Sequence, residues 1–252
     1  MGAGSGSRRK IYLIQFPSVS ASQFEGNCER WGGRLSKKDF TPTMTRRSGV
    51  KGAISAALPV RPAVLRSSAN LVPTGIPGVL IIEPKIFADQ RGFFFEAYQT
   101  ARYAEYGISR PFVQDNISRS GRGTLRGLHL QYPTCQGKLV SVLRGQVLDV
   151  AVDVRIGSPT FGRHVAVELS EINRRQMWVP RGFAHGFLVL SESADFFYKC
   201  DEYYRPADEI TLRWDDPAFQ IKWGIETPIL SEKDAAAPTL ADMQGLPIYG
   251  KC

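Results

Sequence analysis

Long hydrophobic runs are missing from this 252-residue chain. Nothing in it approaches the roughly 20 apolar residues that a bilayer-spanning helix needs, and the N-terminus lacks the short apolar segment of a secretory signal. The sequence therefore predicts a cytoplasmic protein with no membrane role. Cysteine is sparse: Cys28, Cys135, Cys200 and Cys252 lie far apart, with no CxxC pair for zinc and no dense disulfide framework. Reduced thiols are the expected state. Helical periodicity is scarce too. "YQTARYAEYG" and a short turn in "SEKDAAA" are the helical candidates, so a parallel βαβ fold is excluded for want of crossover helices.

Acidic residues are missing from one end only. Residues 1–72 hold twelve Lys or Arg against three Asp or Glu, whereas residues 73–252 hold twenty against twenty-one. The net charge of +8 thus belongs to the leader, and no nucleic-acid partner is expected for the remainder. Residues 1–72 are rich in Ser, Gly, Ala and Arg without sustained periodicity, which reads as a disordered extension. A transit-like segment, read-through from an upstream start and a weak basic tail all fit that composition.

From residue 73 onward short runs of Val, Ile, Leu, Phe and Tyr alternate with Gly, Pro, Asn and Asp. "VLIIEP", "KLVSVLRG", "QVLDVAVDV", "RHVAVEL", "AHGFLVL" and "ADFFYKC" all have strand length. In "QVLDVAVDV", Val147, Asp149, Ala151 and Asp153 alternate with Leu148, Val150, Val152 and Val154. The fold class is all-β, and a jelly roll with a few short helices fits best.

Histidine occurs three times. His164, in "FGRHVAVEL", has no chemical neighbours in sequence and reads as a surface or edge position. His129 and His185 stand in apolar strand settings, "LRGLHLQ" and "RGFAHGFLVL". Either alone reads as a hydrogen-bonded core histidine, but two together suggest a site. A metal-binding barrel would need ligands sharing a face, yet Gln131 stands two after His129 and no acid follows until Asp149. No metal is therefore expected. General acid and base chemistry needs a base, an orienting carboxylate, an acid and a cation where negative charge develops. His129, Asp234, Tyr198 and Lys138 can fill those roles.

Six ordered blocks, "GVLIIEPKIFADQRGFFFEAY", "FVQDNISRSGRGTLRGLHLQYP", "QGKLVSVLRGQVLDVAVDVRIGSPTFG", "VPRGFAHGFLVL", "YKCDEYYRPADEITLRWDDPAFQIKW" and "LSEKDAAAPTL", resemble the dTDP-4-dehydrorhamnose 3,5-epimerase family. The resemblance implies a cupin-type jelly roll, or double-stranded β-helix, over residues 73–252. It also implies a homodimer without metal or organic cofactor. The implied substrate is dTDP-4-dehydro-6-deoxy-D-glucose, whose C4 ketone acidifies C3 and C5, and the implied product is dTDP-4-dehydro-L-rhamnose, an intermediate of dTDP-L-rhamnose biosynthesis.

By the same resemblance His129 is the base, Asp234 its orienting partner, Tyr198 the acid and Lys138 the stabiliser of the enolate oxygen. Arg91, Glu96, Gln114, Asn116, Arg126, His185, Glu209 and Lys233 match nucleotide-binding positions, and Tyr203 matches an aromatic that packs on thymine. Leu130, Cys135 and Cys200 depart from the family pattern without removing a catalytic group. Three other readings stay open: an epimerase acting at one centre only, a metal-dependent cupin, and a non-catalytic sugar-nucleotide binding module.

Overall fold

Period-two alternation and β-branched content run through the chain from Ala69, and the residues that carry them pair into antiparallel sheets. The structure is a computed structural model and describes residues 69–252. Most of the leader, with its expected disorder, lies outside the described residues; Ala69–Val72 form most of the first strand. One sheet has six strands: β1 (Ala69–Pro73), β2 (Leu80–Pro84), β5 (Gln114–Gly121), β7 (Lys138–Arg144), β10 (Gln176–Val179) and β12 (Ser193–Cys200). Their spatial order is β1-β2-β10-β7-β12-β5. The second sheet contains β6 (Leu125–Gln131), β8 (Gln146–Asp153), β9 (His164–Ser170), β11 (Phe183–Val189) and β13 (Glu209–Thr211), in the order β13-β6-β11-β8-β9. A small hairpin of β3 (Phe87–Asp89) and β4 (Gly92–Phe94) pairs apart from both.

From β5 to β13 the chain crosses between the two large sheets at every step except the β8–β9 hairpin, which is the connectivity of a jelly roll. The principal core fills the space between them. Val140 and Val142 of β7, Met177 and Val179 of β10 and Phe196 of β12 meet Val147 and Ala151 of β8 and Phe187 and Val189 of β11. Both outer faces are partly covered as well. Leu125, Leu128, Val150, Val152 and Leu188 pack beneath Leu212, Phe219, Trp223 and Leu246 from the segment after β13. Because β11 is covered on both faces, every one of its seven residues is buried, and "FAHGFLV" reads as a continuous apolar run rather than an alternation. On the six-stranded sheet Ile82, Leu139 and Trp178 pack with Tyr103 of α1 (Thr100–Glu105) and with Ile108. A second short helix, α2 (Glu232–Ala235), follows the N-cap Ser231.

Polar residues close the sheet ends. Asp153, wholly buried at the end of β8, accepts from the Arg155 guanidinium and from the hydroxyls of Ser158 and Thr160, each of the latter at 2.6 Å. Burial pushes its carboxyl up, but these donors outweigh burial and hold it at about 2.

One expectation is corrected here. Cys135 and Cys252 are joined in a disulfide, whereas the buried Cys200 is free. The pair is separated by 117 positions and meets only because the C-terminal segment returns to the barrel beside the loop after β6, a tertiary event that spacing does not encode.

Candidate active site

The two sheets part at one end into a cavity of about 670 Å³. Strand pairing sets its chemistry. β6 and β11 run side by side with His129 opposite His185, and the register shifts between His185 and Phe187. There the backbones approach so closely that a Cβ on Gly127 would lie 2.5 Å from the Gly186 Cα, and one on Gly186 would lie 2.7 Å from the Arg126 carbonyl oxygen. Two glycines are thus what allow the two imidazoles to sit together.

Each imidazole has its own carboxylate. His129 Nε2 donates to Asp234 Oδ1 at 2.5 Å, since an ionised carboxylate can only accept. Asp234 is 3% exposed and sits in α2, where its backbone N–H donates to the Ser231 hydroxyl. Burial pushes the Asp234 carboxyl up; the His129 hydrogen bond and charge, with help from Ser231 and Lys233, bring it below its ordinary value. With Nε2 committed, Nδ1 is the His129 nitrogen that carries a lone pair. His185 Nε2 and Asp149 Oδ1 share a hydrogen bond at 2.9 Å, and Asp149 Oδ2 has no hydrogen-bond partner among the described residues. Burial raises the Asp149 carboxyl, although His185 opposes that.

Across the cavity the six-stranded sheet contributes Lys138 from β7 and Tyr198 from β12. Lys138 is 8% exposed, and no carboxylate pairs with it among the described residues. Burial lowers its ammonium, countered by Cys200, Asp201 and Glu209. A buried amine without a carboxylate partner is best completed by an anionic ligand, which favours its charged form. The Tyr198 hydroxyl bonds to no other group among the described residues. Burial and then Cys200 raise its phenol, so it keeps its proton at neutral pH. An imidazole bound to a carboxylate therefore faces a protonated phenol and the Lys138 amine from the opposite sheet, and an anion forming between them favours the ammonium form of that amine. That set can remove a proton, hold the resulting oxyanion and return a proton from the other side.

Six further residues expected at the nucleotide end also line the cavity: Gln114, Asn116, Arg126, His185, Glu209 and Lys233. Arg126 Nε donates to the Ser120 hydroxyl, and Gln114 donates to Asn116. Lys233 and Glu209 form a rim ion pair at 2.8 Å. Three others lie elsewhere. Arg91 is in the β3–β4 turn, almost fully exposed and paired with Asp89; Glu96 pairs with Arg102; and Tyr203 is exposed outside the cavity. Tyr204 takes the rim position, its hydroxyl donating to Glu209.

Sequence reasoning missed Tyr204, Gln136 and the apolar wall of Phe187 and Phe196, whose rings stack 4.0 Å apart. It also assigned no role to Asp149, although an acid on the inward side of an alternating strand was a visible signal. His164 is half-exposed at the start of β9, away from the cavity. Among the described residues no three His, Cys, Asp or Glu side chains are grouped to hold a metal ion.

A family model described as dTDP-4-dehydrorhamnose 3,5-epimerase matches residues 73–242. The chain belongs to that family. The enzyme of that description from Pseudomonas aeruginosa is 52% identical over 174 residues, which are 68% of this chain and 96% of the relative. The one from Salmonella typhimurium is 53% identical over 173 residues, covering 68% and 94%. A crystal structure of the dTDP-6-deoxy-D-glucose-3,5-epimerase of Legionella pneumophila, in complex with dTDP-4-keto-L-rhamnose, superposes with a TM-score of 0.70 at 55% identity. It covers 72% of this chain and 98% of that one. The epimerase fold is thus a cupin-type jelly roll, and the aligned region takes in both large sheets.

Proposed function

We propose that this dTDP-4-dehydrorhamnose 3,5-epimerase uses His129 as its base, Tyr198 as its acid and Lys138 as its oxyanion partner. The substrate is dTDP-4-dehydro-6-deoxy-D-glucose. Its C4 ketone makes the hydrogens at C3 and C5 acidic, because the electron pair left by either proton delocalises onto the C4 oxygen. His129 Nδ1 takes the proton, and the imidazolium so formed is stabilised by Asp234. Lys138 donates to the enolate oxygen, a contribution on the order of 10² to 10³ in rate. Tyr198 then protonates the carbon from the opposite face. A single group would restore the starting configuration, so inversion needs the two. The observation that carries this reading is the supply of base and acid by different sheets facing one cavity, the base already bound to a buried carboxylate.

The nucleotide end follows from the same cavity. Arg126 and Lys233 suit the diphosphate, since a guanidinium gives paired charge-assisted hydrogen bonds. Arg91 and Glu96 do not reach it within one chain. We therefore read the enzyme as a homodimer in which the β3–β4 hairpin, with Phe87, Phe93 and Phe94 all exposed, packs on a second copy and brings Arg91 to the partner's nucleotide. Among the described residues no helix is long and apolar enough to cross a membrane. A cytoplasmic site of action fits a charged nucleotide sugar.

Incubation with dTDP-4-dehydro-6-deoxy-D-glucose in heavy water tests the reaction. Deuterium at C3 and C5 of the inverted product is expected. Deuterium at one carbon alone would make it a single-centre epimerase, and none at either would refute the assignment.

A further inference from the structure

We infer that Cys135 and Cys252 form a thiol–disulfide exchange site for a dithiol, whose two states differ in whether the C-terminal segment is locked to the barrel. This holds independently of the catalytic assignments above. Leu246 and Pro247 are buried, and beyond them the last residues have few anchors. Ile156 N–H donates to the Pro247 carbonyl, Tyr249 N–H donates to the Ile156 carbonyl, and the Arg155 guanidinium lies between the rings of Phe183 and Tyr249. Ile248 and Tyr249 are each about half exposed, 47% and 49%, so little apolar area holds the tail once the covalent link is gone.

The other end of the bond is held without it. Gln136 Nε2 donates to the Glu202 carbonyl, Gly137 N–H donates to Asp201 Oδ1, and Gln131 Nε2 donates to the Thr134 carbonyl. Reduction therefore frees the tail while Lys138, next along the loop, keeps its place in the cavity.

Exposure sets the order of events. Cys252 is exposed and Cys135 is 2% exposed, so an incoming thiolate attacks the Cys252 sulfur and expels the Cys135 thiolate. The intermediate is a mixed disulfide on Cys252. Cys135 stays beside it and can attack back, which reverses a reaction begun by a monothiol. A second thiol on the reagent competes with that return: it forms the reagent's own disulfide and releases Cys252 as a thiol. Two electrons pass from dithiol to protein, and two protein thiols result.

The experiment uses the full-length enzyme, isolated without reductant and mapped by mass spectrometry before and after dithiothreitol. A Cys135–Cys252 linked peptide should be present before treatment and absent after it, while glutathione at equal thiol concentration leaves most of it intact. Reduction should lower Tm by about 5–15 °C and speed chymotryptic cleavage after Tyr249, with turnover changing less than about twofold. Cys252→Ser should have the low Tm with or without dithiothreitol, and Cys200→Ser should respond as the parent does. Free alkylation of both cysteines before reduction, a mixed disulfide trapped on Cys135, complete reduction by glutathione, or an unchanged Tm would each overturn the proposal.

Discussion

Asp234→Asn isolates the contribution of the buried carboxylate to the base. His129 Nε2 donates to Asp234 over 2.5 Å, which holds the lone pair on Nδ1 and, on the proposed role of His129 as base, places an anion beside the imidazolium formed by proton abstraction. The amide removes the charge and offers an N–H that can turn the imidazole to the other tautomer, with its hydrogen on Nδ1. A hydrogen bond to a charged partner contributes about 1.5–3 kcal/mol, and an ion pair with charge centres about 4 Å apart contributes about 4 at an effective dielectric near 20. A loss of roughly 2–4 kcal/mol in the transition state corresponds to about a 30- to 1000-fold fall in kcat/KM. The variant keeps the shape of the site, so dTDP should bind within about twofold of the parent, measured by titration calorimetry. Exchange of the C3 and C5 hydrogens is followed by NMR in heavy water, with Tm recorded alongside to detect unfolding. Exchange within threefold of the parent, in a variant of unchanged Tm, would refute the dyad.

Tyr198→Phe should still wash deuterium into the substrate while inverted product falls by about 10² to 10³; normal product formation would remove Tyr198 from the role. Lys138→Met should lower kcat by a similar factor yet leave Tm equal or higher, because a buried ammonium without a carboxylate partner costs folding free energy that an apolar side chain of similar length does not; a large drop in Tm would show that Lys138 is structural. Asp153 predicts an acid limb of stability. Its carboxyl stands at about 2 when folded against 3.8 otherwise, so its stabilisation is full above about pH 4, is lost as pH falls toward 2, and amounts to about 2 kcal/mol. Asp153→Asn should flatten that limb in urea titrations between pH 5 and 2, and an identical pH profile would contradict the linkage.

Strands were legible in the sequence because their apolar alternation is local. "QVLDVAVDV" carries two inward acids, Asp149 and Asp153, on the face that also holds Val147 and Ala151, and β8 forms there. "YQTARYAEYG" yields α1, and "SEKDAAA" yields α2 with Ser231 as its cap. That His129, Asp234, Tyr198 and Lys138 share one cavity was suggested by the ordered motif blocks, not by spacing: His129 and Asp234 are 105 positions apart, and only the return of the chain over the five-stranded sheet brings them into contact. What stayed hidden depends wholly on tertiary path. The Cys135–Cys252 bond, the choice of Tyr204 over Tyr203 for the rim, and the position of Arg91 beyond its own cavity have no periodic signature.

The division of the site between two sheets makes stereochemistry a matter of layer thickness. His129 rides on one sheet, Tyr198 and Lys138 on the other; the cavity lies between them, and the packed layer of Val140, Val147, Phe187 and Phe196 beside it sets how far apart the sheets stand. Face-to-face sheets stand about 10 Å apart, a spacing set by side-chain volume. A substitution that thins this layer brings Tyr198, the proposed acid, toward His129, the proposed base, and one that thickens it withdraws Tyr198 while leaving His129 and Asp234 undisturbed on their own side. On the proposed roles, deprotonation and inversion are separable by apolar residues that donate and accept no proton, so the ratio of solvent exchange to inverted product becomes a gauge of how the two walls are spaced.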